Sequence, residues 1–385
     1  MKPSVLFITK VCFLDAALEY IKEVKDYVDL HVLIEIDPHS KNTNILNVKR
    51  LVKDATFLNA KQLLSSQDYK GFIEYIEGCE SFQFFVHHHP KSISFSSINK
   101  SFVLLKQIKK LKPDFIHFDD VSVRLVALSF LLNFNKEKLI MNVHDPVQHS
   151  GEIIIKNLFA RKMFYRKVHK YVVFSKFSKS IFLEKYGYKK SCMALNLKPY
   201  NFYTNYGQSS PSKIYITFIG RISEYKGVDI FLDAINILNV KYPEVKYIIA
   251  GSPNNDLLAK NLIEKYTFEN VKYIFDHLSN SKLCEIINLS QLIVCPYRDA
   301  TQSGVIMTAL ALCAPIIVSN QGGLHEYVES GITGMISKPD AESFATAIET
   351  FIIDKIKHKQ FSENIRNMDS SQFNFGKERI LELYK

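Results

Sequence analysis

The chain has 385 residues, of which 47% are hydrophobic and 23% are charged, and its mean hydropathy is −0.04. This composition is typical of a soluble globular protein and excludes general disorder, and the length predicts two domains of about 150 to 200 residues each. The formal net charge of +10 favours a negatively charged partner, for which nucleic acid, anionic lipid and phosphorylated substrates all qualify.

The cysteines and the N-terminal residues indicate a compartment. Six cysteines are scattered along the chain without a CxxC pair, and most of them lie in apolar stretches. We therefore predict reduced core residues in a cytosolic protein. The apolar run that begins at Val5 is too short for a signal peptide and lacks a cleavage site. No run of the sequence approaches transmembrane length, and we expect a cytoplasmic protein.

Short apolar runs alternate with longer helical patterns in the N-terminal half, which is typical of βα units with a parallel sheet. The predicted strands are 5–8, 30–34, 115–118, 139–143 and 171–174. The predicted helices are 16–26, 101–111 and 121–132. We assign residues 1–200 to a first α/β domain of the doubly wound type.

The densest basic stretch runs from 156 to 179, where residues such as Arg161 and Arg166 alternate with apolar ones such as Phe164. The pattern resembles a helix on a membrane surface, and contact with an anionic membrane is one interpretation. A second interpretation is an ordinary surface helix whose apolar side packs on its own domain. RNA binding is the third, but no RNA-binding motif accompanies the charge, and we expect no nucleic-acid partner.

A domain boundary is predicted between 195 and 213, where a polar stretch is rich in turn formers. A second alternating series follows it. Its predicted strands are 214–219, 247–250, 271–275, 292–296 and 315–319, and its predicted helices are 228–238, 257–266, 281–289, 304–312 and 325–330. Two doubly wound sheets that face each other would put the ligand-binding ends of their strands on either side of a central cleft.

Three loops of the second domain have the composition of phosphate-binding turns. In 218–229 a strand ends at Gly220, and Arg221 and Lys226 lead into the next helix, which suits a diphosphate. A loop of solvated charges is the alternative for this segment taken alone. The loop 301–305 lies at a helix N-terminus, where backbone N–H groups can point at an anion. The loop 320–326 contains a glycine pair that lets the backbone approach a ligand.

Together these motifs resemble glycosyltransferase family four, whose members have the GT-B fold. The matching segments are Gly220-Arg221-x4-Lys226-Gly227, the loop before Gly304, Ala314-Pro315-Ile-Ile-Val-Ser, Gly322-Gly323-x2-Glu326, and Gly331-x2-Gly334 followed by Pro339-Asp340. The resemblance implies two Rossmann-like domains facing a central cleft, with the acceptor side in 1–200 and nucleotide-sugar binding in 201–365. It also implies that a helix within 366–385 crosses back to the first domain.

The resemblance implies a role for each matching residue of the second domain. Arg221 and Lys226, beside Gly220, would hold the pyrophosphate of the donor. Backbone amides at the start of the following helix would cap the distal phosphate, and the sugar and ribose contacts would come from the same place. The residues of that helix start are Ser303, Gly304 and Val305.

The loop before residue 304 departs from the family. Its members usually carry two glutamates separated by seven residues, one near the donor sugar and one on the ribose hydroxyls, and this sequence offers neither. A Thr-Gln-Ser-Gly segment stands there instead. Thr308 can hydrogen-bond a hydroxyl, and Asp299 or Gln302 can reach the sugar, so we interpret the loop as a variant site. A site that binds without catalysing is the alternative.

The N-terminal domain offers a single candidate for the chemistry. The family places a histidine that faces the donor sugar after a strand, and His144 matches it; a core or capping histidine is the alternative. We interpret Asp119 and Asp120 as a helix N-cap. The three histidines at 87–89 lack a second ligand cluster, so we predict a solvent-facing loop and no metal site.

The function implied by the resemblance is retaining glycosyl transfer from a nucleotide sugar, a UDP or GDP sugar, to a glycan or lipid-linked acceptor in cell-surface polysaccharide biosynthesis. The departing phosphate would accept the acceptor's proton, so no cofactor and no metal is required. His144, Arg221 and Lys226 would position the substrates and stabilise phosphate charge. If 156–179 contacts lipid, the protein would lie peripherally on the inner face of the cell membrane. A non-catalytic sugar-nucleotide or glycan-binding partner stays open, as does a GT-B epimerase, which the missing acidic residues disfavour.

Overall fold

The computed structural model describes residues 1–38, 46, 56–89, 91–92, 94–121, 124, 135–147, 155–187, 190–207, 213–354, 356–368, 373 and 375–385. These residues form two compact units. The first contains the described residues of 1–198 together with 373–385, and the second contains those of 199–368. Most of the predicted helix 121–132 lies outside the described residues.

The first unit is built on one sheet. Its strands are β1 (Ser4–Lys10), β2 (Asp29–Ile36), β3 (Phe57–Asn59), β4 (Ser81–Val86), β5 (Phe115–Asp119), β6 (Leu139–Val143), β7 (Lys170–Val173) and β8 (Ser191–Ala194). Over the described residues the order is β3-β4-β2-β1-β5-β6-β7-β8, and all pairs are parallel except the edge pair of β3 and β4. The strand order reverses between β1 and β5, which is where doubly wound sheets bind ligands.

Six helices accompany this sheet in the described part of residues 1–198. They are α1 (Leu14–Val24), α2 (Ala60–Leu63), α3 (Ser66–Ile76), α4 (Phe95–Leu111), α5 (Ile155–Tyr165) and α6 (Lys176–Tyr186). Serines begin three of them as N-caps, since the hydroxyls of Ser65, Ser94 and Ser175 each accept a hydrogen bond from a backbone N–H three residues on. The strands β5 and β6 are buried along their whole length, as expected for a parallel sheet covered on both faces.

The second unit contains a parallel sheet in the Rossmann order. Its strands are β9 (Tyr215–Ile219), β10 (Lys246–Ala250), β11 (Val271–Ile274), β12 (Ser290–Cys295), β13 (Ile316–Ser319) and β14 (Gly334–Ser337), and its helices are α7 (Val228–Asn239), α8 (Asp256–Lys265), α9 (Asn280–Leu289), α10 (Gly304–Ala311), α11 (Ala341–Ile353) and α12 (Lys357–Arg366). The order β11-β10-β9-β12-β13-β14 places the switch point between β9 and β12. Together the two sheets confirm the predicted fold class of two Rossmann-like α/β domains.

The C-terminal residues belong to the first unit. Helix α13 (Lys377–Leu383) precedes Tyr384, whose hydroxyl lies 2.8 Å from the hydroxyl of Tyr20. The carbonyl of Leu383 accepts a hydrogen bond of 3.2 Å from Lys170 Nζ. Side-chain and backbone contacts therefore both attach the chain's end to this unit.

Several sequence predictions differ from the structure. The predicted helix 325–330 is wrong, because only a 3-10 turn at Leu324–Tyr327 forms before Val328 turns extended at φ −127°. The strands β3, β4, β8 and β14 and the helix α3 were not predicted. Of the six cysteines, Cys284 and Cys295 are buried as expected, whereas Cys12 is exposed and the other three are half-buried.

The basic segment 156–179 is not one surface helix. It contains all but the first residue of α5, the strand β7 and the start of α6. The apolar side chains of Phe164, Tyr165 and Val168 are buried in the core of the first unit. This arrangement favours the interpretation in which the apolar side packs on its own domain. Among the described residues, no helix combines the length and the apolar character needed to cross a membrane.

Candidate active site

The structure brings the first two predicted phosphate loops together at the switch point of the second sheet. Gly220 follows β9 with a φ of +128°. A Cβ placed on it would lie 3.1 Å from Val305 Cγ2 and 3.5 Å from Lys226 Nζ. The end of β9, the Lys226 ammonium and the start of α10 therefore meet at one point.

Tyr297 connects the two loops, and the sequence analysis did not identify it. Lys226 Nζ donates a hydrogen bond of 3.1 Å to the Tyr297 hydroxyl and lies 4.5 Å from the centre of its ring. The Ser303 hydroxyl approaches the same oxygen at 3.4 Å. Burial raises the pKa of Tyr297 well above its usual value, so the phenol stays neutral. Tyr297 thus fixes the ammonium of Lys226 beside the N-cap residue of α10.

The segment that carries Lys226 is also held by its backbone. Arg298 donates two hydrogen bonds to the Asp229 carboxylate, at 2.8 and 2.6 Å, and one of 2.9 Å to the carbonyl of Glu224. Burial alone would raise the pKa of Asp229, but the hydrogen bonds and charge of Arg298 outweigh it and lower that pKa. Gly227 has a φ of +64°, and a Cβ there would lie 2.1 Å from the carbonyl oxygen of Pro296. Only glycine permits this close approach of the two backbones.

The start of α10 presents backbone amides. Ser303, its N-cap residue, turns its hydroxyl to Tyr297 rather than to the helix, and Gly304 is exposed. The first N–H groups of a helix have no partner within that helix and favour an anion. The predicted phosphate contact of 303–305 is therefore compatible with the local structure.

The other predicted residues of this loop are placed differently. Thr308 is 4% exposed, and its hydroxyl donates a hydrogen bond of 2.9 Å to the carbonyl of Gly304. A buried hydroxyl engaged inside its own helix does not favour the predicted ribose contact. Asp299 and Gln302 are half-buried in the loop before α10, and Arg221 is exposed directly after Gly220.

The first unit has a buried polar network at its own switch point. Asp119, at the end of β5, is 1% exposed, and the helix that it was predicted to cap lies mostly outside the described residues. Its carboxylate accepts hydrogen bonds from Thr9 Oγ1 at 2.5 Å, Asn142 Nδ2 at 2.9 Å and His144 Nε2 at 2.8 Å. Three donors stabilise the ionised carboxylate, and despite burial, which acts the other way, the pKa of Asp119 is lowered.

His144 is the histidine of this network. Its ring stacks on Phe13 with the centroids 4.0 Å apart and also packs on Phe174 at 4.7 Å. Burial alone would lower the pKa of His144, but the charge and hydrogen bond of Asp119 outweigh burial and raise it. The two side chains therefore favour a buried imidazolium–carboxylate pair. The sequence left open that His144 is a core histidine, and its burial agrees with that alternative. The carboxylate of Asp119 favours the charged form of its ring.

A second histidine, His117, extends the network to the end of the chain. Because Asn142 donates its amide to Asp119, its carbonyl oxygen must accept from His117 Nε2, 2.8 Å away. His117 therefore carries its proton on Nε2. Its Nδ1 accepts a hydrogen bond from one of two tyrosine hydroxyls, Tyr384 at 2.9 Å or Tyr20 at 3.1 Å, while the other hydroxyl donates across the 2.8 Å contact between them. Burial lowers the pKa of His117 to about 4, so the ring is neutral.

The histidines at 87–89 are not all in a solvent-facing loop. His87 is 3% exposed, and its Nε2 lies 3.1 Å from Glu35 Oε1, whereas His88 is exposed. His87 directly follows β4, so the end of a buried strand carries it into the interior. Within the described ranges, no group of three or more His, Cys, Asp or Glu side chains has a metal-binding arrangement.

Comparison with known families identifies the second unit. Residues 205–368 match the family model described as glycosyl transferases group 1. The second unit is therefore similar to group 1 glycosyl transferases. The matched residues contain the whole Lys226–Tyr297–Ser303 arrangement, and the resemblance inferred from the sequence is thereby confirmed.

Individual relatives of this chain are distant. It is 23% identical over 168 residues to the alpha-D-kanosaminyltransferase of Streptomyces kanamyceticus, a match that covers 42% of each chain. It is 25% identical over 305 residues to an uncharacterized 41.2 kDa protein in the cps region of Klebsiella pneumoniae, covering 72% of this chain and 80% of that one. The chain spans only about two fifths of the length of the kanosaminyltransferase and of two further curated relatives.

Among solved structures, Anabaena HepE in complex with UDP is similar over the whole chain. The TM-score is 0.66 at 19% identity, and the match covers 100% of this chain and 97% of that one. At this identity the likeness concerns the fold. It confirms the predicted GT-B fold.

Proposed function

We propose that this protein transfers a glycosyl group from a nucleotide-sugar donor to a glycan or lipid-linked acceptor, with retention of the anomeric configuration. The observation that carries the proposal is the meeting of Gly220, Lys226 and the start of α10 beside Tyr297. The crystal structure of HepE contains UDP in the same fold, which supports a nucleotide diphosphate as the donor's leaving group and UDP as the first nucleotide to test.

The donor pyrophosphate would lie between Lys226 and the N-terminus of α10. An ammonium donates charge-assisted hydrogen bonds to phosphate oxygens, and the helix amides add further donors of the same polarity. As the glycosidic bond to phosphate breaks, negative charge grows on the leaving group. Donors that are already fixed stabilise this charge without reorganising, and Tyr297 and Arg298 supply that fixation. Arg221 would add a second cation from the exposed side of the loop.

The acceptor's proton would pass to the departing phosphate, so the site needs no pair of carboxylates. This assignment fits the absence of the two family glutamates from the sequence around residue 304. His144 would orient the donor sugar from the first unit, with Asp119 keeping its ring charged and in one orientation. A role in cell-surface polysaccharide synthesis at the cytoplasmic face of a membrane is part of the proposal, and the relative in the Klebsiella pneumoniae cps region supports testing it first.

Nucleotide release from a panel of UDP, GDP and ADP sugars, with and without glycan or lipid-linked acceptors, tests the proposed function. Acceptor-dependent release with an unchanged anomeric configuration in the product is the expected result. Binding without turnover on any acceptor would instead favour a sugar-nucleotide-binding protein. Release or sugar isomerisation that needs no acceptor would favour the epimerase.

Site variants test the placement of the pyrophosphate. Lys226→Ala and Arg221→Ala each remove a charge-assisted hydrogen bond, which predicts a nucleotide diphosphate affinity about 10 to 100 times weaker by calorimetry. Lys282→Ala is the matched control, since this exposed lysine of the same unit pairs with Glu285 at 2.7 Å away from the loops. Unchanged affinity in both site variants would refute the placement.

A further inference from the structure

Helix α4 exposes large apolar side chains to solvent. Phe95 is 81% exposed, Phe102 51%, and Ile98 and Val103 42% each. In the described part of the chain, no other helix exposes more than two large hydrophobic residues. Four on one helix amount to an apolar patch rather than the scattered surface residues that are common in globular proteins.

These side chains lie on one face of the helix. At 3.6 residues per turn, Phe95, Ile98, Phe102 and Val103 fall within an arc of about 140°. The opposite face contains Leu104, Leu105 and Ile108, which are buried in the core of the first unit. The helix is therefore anchored by one apolar face and presents a second one outwards.

Lysines continue the same outward face toward the C-terminal end of α4. Lys106, Lys109 and Lys110 are exposed and fall within the same arc. Two more exposed lysines, Lys91 and Lys112, flank the helix, and the sequence from 91 to 112 contains no acidic residue. The outward face is thus apolar in its first half and positively charged in its second.

We propose that the outward face of α4 docks on an anionic membrane surface. Phe95, Ile98 and Phe102 would enter the boundary between head groups and acyl chains, while the lysines contact lipid phosphates. An exposed apolar face bordered by lysines, without acidic residues, is the combination that anionic bilayers bind. An acidic protein partner would also pair with the lysines. It would not require lipid, however, so the dependence of binding on lipid separates the two partners.

This surface replaces the segment 156–179 as the site of membrane contact. Among the described side chains of that segment, Phe164 and Val168 are each 1% exposed, and none of its apolar residues is among the exposed large hydrophobics of the described chain. The docking of α4 does not depend on the proposed glycosyl transfer. A protein without transferase activity would bind the membrane in the same way.

Vesicle co-sedimentation tests the proposal, with phosphatidylcholine vesicles compared to mixtures that contain phosphatidylglycerol. The full chain should bind the anionic mixture, and added salt should weaken the binding. The triple change Lys106→Gln, Lys109→Gln and Lys110→Gln should weaken it about 100-fold, from about fivefold per lysine. The pair Phe95→Ser and Phe102→Ser should weaken it at least tenfold.

Two control variants separate this surface from others. Val240→Ser with Ile353→Ser removes apolar side chains that are 89% and 65% exposed in the second unit, and binding should not change. Lys162→Glu with Arg166→Glu reverses exposed charges in the competing segment and should cost less than the α4 triple change. Circular dichroism confirms that each variant is folded.

A fluorescence reporter tests insertion directly, because the chain contains no tryptophan. In Phe102→Trp the emission should shift to the blue on adding anionic vesicles, whereas Val240→Trp should show no shift. Failure of the unaltered chain to bind anionic vesicles at low salt would overturn the proposal. So would equal binding by the α4 variants, or an unshifted Phe102→Trp emission on bound vesicles, which would point to a protein partner for this face.

Discussion

The neutral state of His117 makes the stability of the first unit depend on pH in a defined direction. Its pKa falls from 6.5 to about 4 on folding because burial disfavours the charged ring. Between these values the unfolded chain binds a proton that the folded unit does not. The contribution of His117 to the free energy of unfolding therefore decreases as the pH falls through this window.

The substitution His117→Gln isolates the effect. A glutamine amide can donate to Asn142 and accept from a hydroxyl of the Tyr20–Tyr384 pair, but it does not titrate. A shift from 6.5 to about 4 corresponds to about 3 kcal/mol in full, and to about 2 kcal/mol already at pH 5. The variant should be less stable than the unaltered protein at pH 7.5, because its fit is poorer, and the difference should shrink by about 2 kcal/mol at pH 5.

The neighbouring pair of His144 and Asp119 does not produce the same change of unfolding free energy with pH. The raised pKa of His144 contributes stability that is complete below the unfolded value of 6.5 and is lost only as the pH rises through the folded pKa. The lowered pKa of Asp119 contributes stability that is present above 3.8 and lost only below it. Urea unfolding followed by hydrogen exchange in peptides from β5 and β6 reports on this unit alone. A stability difference between the two proteins that stays constant from pH 7.5 to 5 would refute a neutral buried His117.

Two further substitutions test the second unit. Tyr297→Phe removes the hydroxyl that holds Lys226 and should weaken nucleotide diphosphate binding several-fold by calorimetry. The control Tyr247→Phe, at a fully buried tyrosine away from the loops, should leave the affinity unchanged. Equal effects of the two changes would argue against a positioning role of Tyr297. Gly227→Ala should destabilise the unit by more than about 2 kcal/mol in urea unfolding, since it combines a positive φ with a backbone overlap. Gly331→Ala, with a φ of +83° and nothing within 4 Å, should cost only about 1 kcal/mol, and equal costs would contradict the close approach at Pro296.

The sequence predicted the strands whose apolar residues run continuously. The bounds predicted for β6 are those of the structure, and β1, β5, β9 and β10 were found within one or two residues, because a strand covered on both faces has to be apolar throughout. Shorter strands at or near the sheet edges, such as β3 and β14, were missed. An edge strand of three or four residues is defined by the neighbour it pairs with, and its own sequence need not alternate or stay apolar.

The partners of the site residues were less predictable than the residues themselves. Gly220, Lys226 and His144 stand in recognisable local patterns, but Asp119 is separated from His144 by 25 positions and Tyr297 from Lys226 by 71. A pair of neighbouring aspartates after a strand fits an N-cap equally well in the sequence. Only the parallel pairing of β5 with β6 shows that Asp119 faces inwards to His144. A further signal was present in the sequence, since Tyr297 stands two residues after the buried strand β12, at the start of the segment that leads to the phosphate loop.

The contacts of Thr308 and Tyr297 bear on how the loop before Gly304 can work without the two family glutamates. A glutamate near the donor sugar would be a fixed negative charge. The hydroxyl of Thr308, which this chain could offer instead, donates to a carbonyl inside α10. What the loop does provide is a neutral phenol, Tyr297, that accepts from both Lys226 and Ser303. A neutral acceptor orients the ammonium without cancelling its charge, as a carboxylate at hydrogen-bond distance would. A transfer in which the phosphate itself accepts the proton needs a positive charge fixed beside the leaving group, and the phenol of Tyr297 fixes Lys226 without adding a negative charge of its own.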